Sequence, residues 1–267
     1  MFKLQDISIR EAAPHIFRRP LLYVSPFDSM LQVATFIATG PQIYVDGLVV
    51  LEENKLAGRI GGYALANHIL KTRERWLDGK ALQIMEALEH ALREDDSITK
   101  ALRVFMETRF AFMPVSSNGK IVASLSLRDL INYAMGLKVE VQGLTSPLLT
   151  IDNDTSVLDA LEFMVEKGVR NIVFLKQDGP YVINDRKILA YLLHSQTRDL
   201  ISRRGFEVLA TIKVIGIGAL KGTSVDLRSE AGSVAHLFSN IETSCLFVGN
   251  RILTPWDLVM KGSGFIS

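Results

Sequence analysis

Two tetrads in this chain place a hydroxyl and a carboxylate three residues apart: Ser126-Leu127-Arg128-Asp129 and Thr254-Pro255-Trp256-Asp257. Each follows a short apolar run and opens an apolar helical face. That is the setting of a capping box, in which the two side chains satisfy backbone N–H groups at a helix start. Pro255 strengthens this use of the second tetrad, because proline is favoured at the first helical position. The same groups can also bind a ligand. A carboxylate accepts from two hydroxyls at once, and a charged acceptor strengthens such bonds. A helix start offers N–H donors and a positive dipole end to an anion. The spacing alone leaves both uses open.

The elements that must position these tetrads recur along the chain. Residues 120–133, KIVASLSLRDLINY, change from an apolar run to a helical period at Ser126, which predicts strand, turn and helix. Residues 251–260, RILTPWDLVM, repeat the pattern. Four helical faces share the spacing i, i+3, i+4, i+7: Met30/Val33/Ala34/Ile37, Ile98/Ala101/Leu102/Phe105, Val157/Ala160/Leu161/Met164 and Val234/Leu237/Phe238/Ile241. A serine precedes each one (Ser29, Ser97, Ser156, Ser233) and is expected to cap it. Two short strands and a second helix follow in every copy. Ser117-Asn118-Gly119 is a strong hairpin signal between the strands of copy two. Leading strands are expected at 21–25, 148–151 and 225–227. Copy two shows none, because residues 81–93 read as helix. Residues 40–47 look like an insertion in copy one, residues 71–79 like a solvated polar connector, and residues 198–204 like a charged joint.

Composition bounds the possibilities. The chain has 267 residues, 48% of them apolar, enough for one or two domains with a large core. Thirty basic residues against 29 acidic ones leave no electrostatic footprint for nucleic acid. The single cysteine, Cys245, excludes an internal disulfide and suits a reducing cytoplasm. It sits in an apolar strand and is expected to be an inert buried thiol. No secretory leader is visible, and no apolar run approaches the roughly 20 residues of a membrane span.

The repeat resembles the CBS motif, named for cystathionine beta-synthase. The segments ALRVFMETRFAFMPVSSNGKIVASLSLRDLI, VLDALEFMVEKGVRNIVFL and LTPWDLV carry the resemblance. It implies an α/β (α+β) fold of four β-α-β-β-α CBS repeats in two Bateman modules, stacked as a disk like the gamma subunit of AMP-activated protein kinase. Module one would span 1–137, with copies at about 16–72 and 80–137. Module two would span 138–267, with copies at about 139–197 and 205–261. The family's Ser/Thr-x-x-Asp commonly binds the ribose of an adenine nucleotide, which gives the ligand roles of Ser126, Asp129, Thr254 and Asp257. Copies one and three depart from the pattern with Gly61/Ala64 and Asn184/Lys187, so they are expected not to make this contact. A basic residue just before the middle strand often reaches the phosphate of the paired copy's ligand. Arg170 holds that place in copy three, facing a ligand on Asp257, and Arg109 is its nearest counterpart in copy two.

The resemblance implies a cytoplasmic regulatory protein without catalysis of its own. AMP, ADP or ATP would be its ligand, a separate effector protein its partner, and a homodimer its assembly. Two alternatives keep the same fold: a scaffold in which both tetrads only cap helices, and a sensor of S-adenosylmethionine. A third is a dinucleotide enzyme using the glycines at 216, 218 and 222. That use needs a helix starting there, where the sequence reads as a turn into a strand. The five histidines show no metal-ligand spacing.

Overall fold

The computed structural model describes residues 7–40 and 46–265. Most of the insertion expected at 40–47 lies outside them. Each copy builds a small sheet from a leading strand parallel to an antiparallel hairpin, with helices on one side. In copy one, strand Tyr23–Val24 pairs parallel with Gly47–Glu52, which pairs antiparallel with Lys55–Gly61. Copy two repeats this with Leu92–Arg93, Phe112–Ser117 and Lys120–Ser126. In copy three a single bridge, Thr150 to Val173, replaces the leading strand beside the Asn171–Lys176 and Gly179–Asn184 hairpin. In copy four Thr223–Ser224 leads Leu246–Val248 and Arg251–Leu253.

Two kinds of contact join the copies. Sheets join one to two and three to four. Arg59 of copy one is fully buried, with its guanidinium 3.6 Å from the ring centroid of Phe110 in copy two. Val173 and Val182 of copy three cluster with Cys245 and Phe247 of copy four. Helices join one to three and two to four. One large apolar core combines Met30, Val33 and Leu65 with Leu161, Ile188 and Leu192. The other combines Leu102, Leu130 and Ile131 with Val234, Phe238 and Leu258. The four copies thus close a ring, each touching two others through different faces.

Gly232 marks how closely the second helical interface packs. It stands in the Ala231–Ala235 helix, and its N–H donates to the Leu137 carbonyl at 3.0 Å. A Cβ there would lie 2.4 Å from the Met135 carbonyl oxygen, a backbone atom with little room to yield. Gly232→Ala is therefore expected to destabilise the fold by about 1–3 kcal/mol, the usual cost of overpacking. Urea titration checks this, and a midpoint equal to that of the parent would refute it.

Several local expectations are corrected. Residues 81–93 do not form one helix. A 3₁₀ turn, Ala81–Gln83, is followed by Glu86–Ala87, which extends the sheet of copy one, and by the leading strand Leu92–Arg93. Helix propensity is a weak prior, and pairing with Gly58 and Arg59 overrides it. Ser29, Ser97 and Ser156 cap their helices through the side chain, but Ser233 does not. The copy-four helix starts three residues earlier, at Ala231, and Ser233 Oγ donates back to the Glu230 carbonyl. The leading strand of that copy falls at Thr223–Ser224 rather than 225–227. The connector 71–79 keeps Lys71, Glu74, Arg75 and Asp78 exposed, as expected, but is pinned to the core by Trp76, which is 2% exposed. The charged joint belongs to a regular helix, Ser195–Arg204, anchored by buried Ile201. The glycine segment forms a 3₁₀ turn, Val214–Ile217, and then strand Leu220–Lys221, with no helix starting at the glycines. Among the described residues no helix is long and apolar enough to cross a membrane.

Candidate functional site

Thr254 and Asp257 stand where strand Arg251–Leu253 passes into the last helix. The Asp257 side chain is only 3% exposed, so its charge must be met by donors. Oδ2 accepts from the Thr254 N–H at 2.9 Å and from Thr254 Oγ1 at 2.7 Å. Oδ1 accepts from Ser146 Oγ at 2.6 Å and from Lys261 Nζ at 2.8 Å. The Asp257 N–H donates to Thr254 Oγ1 at 3.2 Å, which completes a capping box.

The same residues line a cavity of about 550 Å³. Its walls come from both modules. Copies three and four supply Ser146, Arg170, Asp185, Arg186, Thr254 and Asp257. Across the ring, module one supplies Asp46, Arg109 and Arg128. Arg170 Nε donates to Asp185 Oδ2 at 2.8 Å, and its Nη1 lies 3.8 Å from Asp46 Oδ1. Arg186 Nη2 donates to Asp46 Oδ1 at 2.6 Å. Arg128 donates to the carbonyls of Phe238 and Thr243 in copy four. Arg109 ends the Ile98–Thr108 helix in the left-handed conformation (φ 58°) and is exposed. Its backbone N–H donates to the Phe105 carbonyl at 2.9 Å, but its side chain makes no hydrogen bond or ion pair among the described residues. Asn171 Oδ1, also on the wall, is a buried acceptor without a donor among them.

The electrostatics centre on Asp46. Burial alone would push its carboxyl up. The guanidiniums of Arg186, Arg170 and Arg128 overrule that and hold it below the usual carboxylate range. Asp46 is thus an internal anion inside a cationic cluster. Cys245, adjoining the cleft, is 3% exposed, and burial pushes its thiol up to about 12, far from a reactive thiolate.

Thr254, Asp257, Arg170 and Arg109 therefore meet in one cleft. Ser126 and Asp129 lie elsewhere. Their capping box is present, with Asp129 Oδ2 accepting from the Ser126 N–H at 2.7 Å and Oγ at 3.0 Å. Arg19 donates to both carboxylate oxygens, at 2.7 and 2.8 Å, and His15 Nε2 lies 3.0 Å from Oδ1. In copy three Asn184 caps its helix by accepting from the Lys187 N–H, and Asp185 faces the cavity. In copy one the backbone of Gly61 opens the helix without a side-chain cap.

Sequence reasoning missed Asp46, Arg128, Arg186, Ser146, Lys261, Arg19 and His15. Asp46, Arg128 and Arg186 reach their partners across the stacked modules, and Ser146, Arg19 and His15 reach theirs from distant parts of the same module, beyond the range of local pattern; Lys261 alone stands one helical turn from its partner. One signal was present: Arg19-Pro20-Leu21-Leu22 repeats as Ser146-Pro147-Leu148-Leu149, and both lead into a copy.

The CBS domain model matches residues 82–136 and 139–194. No curated protein sequence matches the chain. Among solved structures, the chain is similar to protein MJ1225 from Methanocaldococcus jannaschii, named as a proposed archaeal homolog of g-AMPK. The TM-score is 0.81 at 14% identity, over 96% of this chain and 99% of that one. It is also similar to an uncharacterized conserved protein from Pyrococcus horikoshii, with a TM-score of 0.53 at 17% identity, over 82% and 92% of the two chains. At these identities the likeness speaks for the fold. The family model thus identifies a pair of CBS domains in this chain, at residues 82–136 and 139–194, and the structural likeness extends the same fold over nearly all of it.

Proposed function

We propose that the protein is a non-catalytic regulator that binds an adenine nucleotide in the Asp257 cleft and passes its ligand state to a separate effector protein. The observation that carries this is the meeting of Thr254 and Asp257 with Arg109, Arg128, Arg170 and Arg186 around one cavity. Its 550 Å³ falls within the roughly 300–1,000 Å³ range of small-molecule sites. Asp257 offers acceptors to a ribose diol, which would take over from Ser146 and Lys261 on Oδ1. The arginines offer positive charge to a phosphate. The unpaired Asn171 Oδ1 offers an acceptor to a ligand N–H or O–H.

The mechanism follows from the cleft having walls in both modules. A nucleotide held by Asp257 and Arg170 of module two also faces Arg109 and Arg128 of module one. Its binding energy then depends on how the modules sit, and it favours one arrangement by its differential affinity for the two. The effector, or a second copy of the chain in a homodimer, reads that arrangement.

Thermal melting with AMP, ADP, ATP and S-adenosylmethionine tests the reading. A ligand at 100 times its dissociation constant adds about 2.7 kcal/mol, a shift of several degrees. The shift is expected with AMP, ADP or ATP and is expected to vanish in Asp257→Asn. Arg170→Ala is expected to weaken the nucleotide and to spare S-adenosylmethionine, which lacks a phosphate. A second reading rests on the four donors already on Asp257: the tetrad only caps, and the protein is a scaffold. No shift with any of the four ligands would favour it.

A further inference from the structure

The two Ser/Thr-x-x-Asp tetrads stand in matching places, yet only the hydroxyl and carboxylate of the second, Thr254 and Asp257, line the 550 Å³ cavity; the first reaches it through Leu127 and Arg128. The difference lies in the segment entering each module. Tyr23 pairs with Val49, and Thr150 pairs with Val173, each parallel to the middle strand of its copy. Counting back four residues from each reaches Arg19 and Ser146, so the two residues hold the same register position. Both touch the aspartate of the module's second tetrad-bearing copy. Ser146 gives Asp257 one hydroxyl bond at 2.6 Å. Arg19 gives Asp129 a two-pronged guanidinium at 2.7 and 2.8 Å, and Nη2 also donates to the Ser124 carbonyl at 2.6 Å.

The consequence for a ligand is direct. A ribose diol binds by donating to carboxylate lone pairs. On Asp129 these are taken by two guanidinium N–H groups, His15, and the N–H and hydroxyl of Ser126. The guanidinium is also held firmly. The Arg19 side chain is 13% exposed, and the turn before it, Pro14–Phe17, is anchored by fully buried Ile16. A serine at this position leaves space in front of the aspartate, whereas an arginine fills it.

We infer that Arg19 fixes the number of ligand sites: its guanidinium stands in for a nucleoside on Asp129 and confines ribose recognition to the Asp257 cleft. This rests on the reading that the tetrad recognises a ribose diol. Replacing Arg19 by the residue found at position 146 should open a second site.

Equilibrium dialysis with AMP, and with adenosine as the ribose probe lacking phosphate, tests this in the full chain. The parent is expected to bind one equivalent of AMP, lost in Asp257→Asn. Arg19→Ser is expected to bind a second equivalent of adenosine, retained in Arg19→Ser/Asp257→Asn and lost in Arg19→Ser/Asp129→Asn. Arg19→Lys keeps the charge and guards against misfolding. It cannot cover both oxygens and the Ser124 carbonyl together, so a second, weaker equivalent is expected there. A folded Arg19→Ser or Arg19→Lys protein that gains no site overturns the inference. So does a parent that already binds two equivalents, one of them lost in Asp129→Asn. If the parent binds nothing and Arg19→Ser binds one adenosine, the inference stands and the Asp257 reading fails.

Discussion

Alanine at position 129 is expected to cost the fold about 3–5 kcal/mol, the range for breaking a buried ion pair from one side. The Asp129 side chain is 2% exposed and its partner Arg19 13% exposed, so water cannot take over the pairing. Removing the carboxylate strips a confined guanidinium of the anion it is paired with, while its bond to the Ser124 carbonyl stays. It also removes the acceptor for the Ser126 N–H at the start of the 3₁₀ turn Leu127–Leu130. For a chain of this size the loss lowers the melting point by on the order of 10 °C. Asp129→Asn keeps the volume and part of the hydrogen bonding, and should fall between. The double variant Asp129→Ala/Arg19→Ala should recover part of the loss, since it removes the guanidinium that lost its carboxylate as well. AMP binding at the Asp257 cleft should survive in each variant that folds, because Asp129 lies outside that cavity. An Asp129→Ala protein melting within about 1 kcal/mol of the parent would show that Arg19 finds another partner there.

The same residues show which parts of the molecule a sequence can display. Residues 120–133 announce strand, turn and helix because the apolar period changes from two to 3.6 at Ser126, and the structure has its strand end and helical turn there. Ser29, Ser97 and Ser156 were legible because capping is local chemistry. Residues 81–93 were misread because the force that decides them, pairing of Glu86 and Ala87 with Arg59 and Gly58, comes from another copy. The site divides along the same line. Thr254 and Asp257 lie on one turn, and Arg170 belongs to a repeated register, so each could be placed by counting. Asp46 and Arg128 join them only because the opposite module packs against this one, and Arg186 takes its part by pairing with Asp46 across that boundary, which no spacing encodes. Arg19 was readable in principle, from the shared Pro-Leu-Leu that follows it and Ser146. Its meaning needed the distance to Asp129.

Asp46→Ala should tighten AMP binding about tenfold or more. In the present structure Asp46 neutralises the groups a phosphate would seek: Arg186 at 2.6 Å and Arg170 at 3.8 Å. A nucleotide phosphate entering the cleft meets this carboxylate as a like charge. Two unit charges about 6 Å apart repel by roughly 3 kcal/mol at an effective dielectric of 20. Solvent in an open cleft screens about half of that, and the remaining ~1.4 kcal/mol is a factor of ten. Removing Asp46 abolishes the repulsion and returns its share of the cationic field to the ligand. Adenosine, with no phosphate, should bind the variant and the parent alike, which separates the charge effect from any change in cleft shape. The gain has a cost in stability whose sign is fixed. The carboxyl of Asp46 is held below its ordinary value, so its contribution to folding is present above that value and is lost as pH falls through the lowered one. The variant should therefore be less stable than the parent at pH 7, and the gap should close in acid. Calorimetric titration of AMP and adenosine into both proteins decides the matter. Equal or weaker AMP binding by Asp46→Ala would mean that the carboxylate positions the arginines rather than competing with the phosphate.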